Sequence, residues 1–123
     1  MAEEKIKPRF TVREASEVDA SVTVIELSGQ LDAHTAPEFE RFLEDVVRDE
    51  GKRQLVLDFH GLEYISSAGL GVLMGLIEEV RATGGDMKLA ALPEKIFHVL
   101  DLLGFPMVFQ IFPTVAEAEA AFK

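Results

Sequence analysis

The chain has 123 residues, which fits one compact domain, and 48% of them are apolar, enough for a core. Its 12 basic and 22 acidic residues give a formal net charge of −10, a poor match to nucleic-acid phosphates or to an anionic membrane surface. No cysteine is present, which excludes disulfides, thiolate zinc sites and a cysteine nucleophile, and suits a reducing cytosol.

Residues 1–8 read as a flexible tail ahead of a domain over 9–123. Phe10–Arg13 is predicted as a short edge strand. After the polar stretch Glu14–Ser21, a second strand covers Val22–Leu27 and stops at Ser28-Gly29, with Gln30–His34 as a loop. Thr35 and Glu38 have capping-box spacing, with Pro37 in the first turn. Phe39, Phe42, Leu43, Val46 and Val47 follow as one apolar stripe, so a helix runs to Gly51. Gln54–Phe59 suits a strand buried on both faces, and His60–Ile65 reads as a loop.

The second helix is predicted from Ser66-Ser67 to Thr83-Gly84-Gly85, with Leu70, Leu73, Met74, Ile77 and Val80 inward. A strand at Lys88–Ala91 leads to a helix over Pro93–Leu103. Its core side is Ile96, Phe97, Leu100 and Leu103, and Gly104 ends it. Met107–Phe112 is the last strand, and Thr114 with Glu117 opens a final helix to Phe122. This alternation predicts a single α/β domain, a mainly parallel sheet with an N-terminal edge strand and about four helices. The longest charge-free stretches, Tyr64–Ile77 and Leu102–Ala116, fall short of the ~18–20 apolar residues of a spanning helix, and the N-terminus lacks the apolar region of a signal peptide.

Sites in such sheets gather beyond the carboxyl ends of the strands. Two segments stand out there: Gly29-Gln30-Leu31-Asp32-Ala33-His34-Thr35, and Tyr64-Ile65-Ser66-Ser67-Ala68-Gly69-Leu70-Gly71. In the second, two hydroxyls meet a helix start, where N–H groups lack partners and the dipole is positive. One serine is explained by N-capping, but neither the other nor the run of small residues is. A functional role and plain capping with close packing both remain open at this level. For Asp32 and His34 the plain reading is a turn and helix entry.

Enzymatic patterns fit poorly. Gly69-Leu70-Gly71 with Gly75 misses the dinucleotide fingerprint by one residue and lacks its downstream acid, so close helix–sheet packing explains these glycines better. Ile65 occupies the first glycine position of a serine-hydrolase elbow around Ser67. His34, His60 and His98 have no partners in the pattern, and His60 with Glu63 lacks a third metal ligand. No cofactor, no metal and no catalysis are expected. Tyr64 reads as a core wall with a wet hydroxyl, and Phe97, Phe105, Phe109 and Phe112 as core.

The run Leu62–Leu73, with Ser66-Ser67-Ala68-Gly69-Leu70-Gly71 at its centre, resembles the phosphorylation loop of bacterial anti-sigma factor antagonists. These are single STAS domains (sulfate transporter and anti-sigma factor antagonist). Gly29-Gln30-Leu31-Asp32 resembles that family's Gly-x-Leu-Asp loop, Leu55-Val56-Leu57-Asp58 its central strand, and the resemblance covers about Phe10 to Phe122. It implies a cytoplasmic, non-catalytic switch that binds an anti-sigma factor with serine kinase activity, frees a sigma factor, and is reset by a serine phosphatase. Ser67 matches the phosphorylated residue and Asp32 the nearby loop acid. Ser66 stands where many members carry Asp, which removes a charge and leaves Ser66 as an alternative acceptor. Asp32, Ser66, Ala68, Gly69 and Leu70 are the implied partner-binding residues, with Asp32, Ser66, Ser67, Gly69 and Leu70 expected on one exposed patch. The competing reading is a STAS interaction module in a transport or sensory assembly, without phosphorylation.

Overall fold

A computed structural model describes residues 8–15 and 21–123. The predicted tail falls almost wholly outside the described residues. Five strands form one sheet in the order β1 (Phe10–Glu14), β2 (Thr23–Leu31), β3 (Gln54–Ile65), β4 (Asp86–Ala90) and β5 (Ile111–Phe112). β1 runs antiparallel to β2, with Phe10 opposite Gly29 and Glu14 opposite Ile25, and every other pair is parallel. The helices are α1 (Ala36–Glu44), which widens into a π-helical turn over Asp45–Asp49, α2 (Ser67–Ala82), α3 (Glu94–Leu102) and α4 (Val115–Ala120).

β3 is the central strand, and its alternation divides the core. Leu55 and Leu57 join a large cluster with Phe39 and Leu43 of α1, Leu73 and Ile77 of α2, and Ile96 and Leu100 of α3. Val56 points the other way, into a small cluster with Val22, Ala90 and Ala118 of α4. Three helices thus cover one face and α4 covers part of the other. Lys88, buried on the α4 side, lies 4.4 Å from the centroid of the Phe122 ring and 3.1 Å from Asp86 Oδ2.

Three predicted boundaries were wrong, each for a local reason. β2 does not stop at Ser28-Gly29 but continues to Leu31, with Gly29 at φ +90° and register irregularities between Glu26 and Ser28 and between Gly29 and Gln30. β3 continues alongside it, so the expected loop His60–Ile65 is strand, paired Ser28 with Gly61 and Leu31 with Ile65. Exposed His60 and Glu63 interrupt the apolar run without interrupting the backbone ladder. The last strand shrinks from six expected residues to Ile111-Phe112. Pro106 fixes its own φ and lacks an N–H, and a 3₁₀ turn forms over Phe105–Met107. The stacked Phe105 and Phe109 rings, with centroids 5.7 Å apart, hold that turn inward.

Some inward assignments also failed. Phe97, Leu103, Met74 and Tyr64 are exposed at 40%, 60%, 38% and 49%, while Val72 and Leu76 are buried in their helix instead.

Candidate functional site

The site begins where β2 and β3 end together. Leu31 pairs with Ile65, and the next residue on β3's side is tied back across, Ser66 N–H donating to the Leu31 carbonyl at 2.8 Å. The two segments singled out from sequence are therefore joined by backbone.

Asp32 follows Leu31 and is buried. Its Oδ1 accepts from His34 N–H at 2.9 Å and Thr35 N–H at 3.1 Å, so Asp32 caps the entry to α1. The capping box expected from Thr35 does not form: its hydroxyl donates to the Gln30 carbonyl at 2.7 Å, and its own helix receives no side-chain cap from it. Asp32 Oδ2 accepts from Arg9, from Nε at 2.9 Å and from Nη2. The Arg9 hydrogen bond holds the Asp32 carboxyl well down, at about 2, aided by the two backbone N–H groups and opposed by desolvation.

The two serines differ. Ser66 is the N-cap of α2, extended at φ −99° and ψ 173°, with its hydroxyl accepting from Gly69 N–H at 3.4 Å and its carbonyl from Leu70 N–H at 3.0 Å. Ser67 is the first helical residue and is exposed, and no hydrogen bond holds its hydroxyl to the described residues. The first turn of this 16-residue helix contains no acid, so its positive end is not neutralised by the helix's own side chains.

Of the five residues expected on one exposed patch, only Ser67 is exposed. Ser67 and Ala68 are exposed and Ser66 is half-buried, but Asp32, Gly69 and Leu70 are buried, since the first is a cap and the other two pack beneath the helix. Gly69 is needed there: a Cβ would lie 2.7 Å from Leu31 Cγ and 3.2 Å from Ile65 Cγ1. Gly71 and Gly75, which the packing argument also covered, instead face open space. Gly71, Met74 and Gly75, at helical spacing from Ser67, are exposed on the same side of α2.

Sequence reasoning missed Arg9 and misplaced Tyr64. The available signal for Arg9 was its position directly before an antiparallel edge strand, which sets it opposite the Asp32 loop. Among the described residues no group of His, Asp and Glu could hold a metal ion, and no helix is long and apolar enough to cross a membrane.

A sequence model of the STAS domain matches residues 13–118. The chain belongs to the STAS-domain family. A Bordetella bronchiseptica protein bearing the name of an anti-sigma factor antagonist, BtrV, is 35% identical over 97 residues, covering 79% of this STAS chain and 83% of its own length. An anti-sigma-B factor antagonist of Listeria monocytogenes is 30% identical over 98 residues, covering 80% and 85%. The crystal structure of an anti-sigma factor antagonist from Mycobacterium paratuberculosis superimposes with a TM-score of 0.82 at 26% identity, over 91% of this chain and 92% of that one. The α/β architecture expected from the sequence is thus the STAS fold.

Proposed function

We propose that this STAS domain is an anti-sigma factor antagonist whose binding is switched by phosphorylation of Ser67. The relatives' names supply the class of role, a regulatory one rather than an enzymatic one. The choice of residue rests on one observation: Ser66 caps α2 while Ser67, one residue on, is exposed with its hydroxyl unbonded among the described residues. The partner in this reading is an anti-sigma factor with serine kinase activity, and a serine phosphatase resets the switch. The cytoplasm, where sigma factors act, is the compartment it requires.

The kinase transfers the γ-phosphoryl group of ATP to Ser67 Oγ, which loses its proton, and ADP departs. Three phosphate oxygens at the uncompensated start of α2 are tolerated by the fold. A partner packed over Ser67 and Ala68 meets that bulk and charge directly. A penalty of ~1.4 kcal/mol weakens binding tenfold, and two to three times as much abolishes it in practice.

The test is intact-mass analysis of wild type, Ser66→Ala and Ser67→Ala after incubation with the host's anti-sigma serine kinase and ATP, with partner affinity measured alongside. One phosphate is expected on wild type and on Ser66→Ala, and none on Ser67→Ala, which stays bound. Phosphate on Ser67→Ala moves the site to Ser66. No phosphate on any variant favours an interaction module without phosphorylation.

A further inference from the structure

We propose that Arg9 is the cation that reads the state of Ser67: Asp32 holds it while Ser67 is unmodified, and the phosphate shares it once Ser67 is phosphorylated. The proposal rests on the reading of Ser67 as the modified residue.

The start of the first strand fixes Arg9 in place. Gln30 N–H donates to the Arg9 carbonyl at 2.8 Å, and that carbonyl lies so close over Gly29, at φ +90°, that no Cβ fits beneath it. From this anchored backbone the side chain reaches the end of β2, where Nε and Nη2 both donate to the single oxygen Oδ2 of Asp32. A guanidinium has five N–H donors, so these two bonds leave the rest available, and the side chain is 62% exposed. Other cations are engaged elsewhere: Arg13 with Glu26, Arg48 with Glu44 and Glu79, and Arg81 with Asp86.

Asp32 and Ser66 directly follow Leu31 and Ile65, the paired last residues of adjacent strands ~4.8 Å apart, and Ser67 is the next. Phosphorylation adds about −1.5 to −2 of charge beside a carboxylate that is already ionised. Two anions just past the ends of neighbouring strands repel, and a cation between them relieves that repulsion. Arg9 has open donors, and its planar fork matches phosphate geometry. Oδ1 meanwhile stays with the His34 and Thr35 amides, so the cap on α1 survives the exchange.

The test installs phosphoserine at position 67 during translation, which makes it independent of any kinase. The second ionisation of the phosphate is followed by ³¹P NMR. Arg9→Gln is expected to raise the phosphate pKa by about half a unit or more relative to its parent, because an opposite charge nearby favours the dianion. Arg9→Lys, which keeps the charge without the fork, is expected to fall between them and serves if Arg9→Gln does not fold. Equal midpoints in parent and substituted proteins overturn the proposal. Failure of a kinase to modify Ser67 overturns the functional reading and leaves this titration unaffected.

Discussion

Replacing Gly69 with alanine separates packing from helix propensity in a single methyl group. The new Cβ would lie 2.7 Å from Leu31 Cγ and 3.0 Å from Leu31 Cδ2. Leu31 is fully buried, and Cγ is a branch point rather than a flexible tip, so relief requires the side chain or the start of α2 to move. Overpacking of this kind costs about 1–3 kcal/mol, against a propensity gain of up to ~1 kcal/mol for alanine over glycine. The net expectation is a loss of roughly 1–2 kcal/mol. Gly71→Ala makes the same chemical change two residues on, where a Cβ meets nothing within 4 Å, and should gain about 0.5–1 kcal/mol. The two variants should therefore differ by about 1.5–3 kcal/mol, or roughly 5–15 °C in Tm for a domain of this size. Urea denaturation with a shared m-value measures the difference. Gly69→Ala as stable as Gly71→Ala would refute the reasoning, because it would mean that Leu31 yields freely.

The serines should divide in stability as they do in geometry. Ser66→Ala, which removes the α2 cap, should cost about 0.5–2 kcal/mol, and Ser67→Ala should stay within ~0.5 kcal/mol of wild type by thermal melting. The Asp32 carboxyl, ordinarily near 3.8, is depressed to about 2 in the folded chain. Its contribution is complete above the unfolded value and is lost as pH falls from about 4 through 2, so Asp32→Asn should flatten the acid limb of a stability–pH curve there. An unchanged limb would place the acid sensitivity on other carboxylates, of which Glu79, held down by Arg48, is one.

Helices and the buried part of the sheet were legible because their patterns repeat. The α1 stripe, the Leu55–Leu57 run and the left-handed Gly104 at φ +78° all lie where periodicity and turn chemistry put them. The extensions of β2 and β3 were not legible. Beyond Leu27 and Phe59 the two strands hold each other by backbone hydrogen bonds, which leave no apolar alternation to read. The same limit hid the site's interior. The helix-entry role of Asp32 was legible, but its Arg9 partner was not, because Arg9 lies 23 residues away in sequence and meets it only through the pairing of β1 with β2. Likewise three glycines within seven residues look equivalent, although one faces Leu31 and two face open space.

The two borders of the sheet bear on how this chain behaves when crowded. An open strand edge is a template on which further copies can add, and long, flat, apolar edges are the dangerous ones. β5 offers only Ile111 and Phe112 before Pro113, too short a run to seed a fibril and followed by a residue unable to donate to a ladder. At the opposite border, β1 carries Arg13 and Glu14 in its five residues, and an approaching apolar strand would have to desolvate both charges. The shortening of the last strand by Pro106 and the 3₁₀ turn thus protects solubility. Mutations that lengthen β5, such as Pro113→Val, should show first as aggregation at high concentration rather than as lost stability.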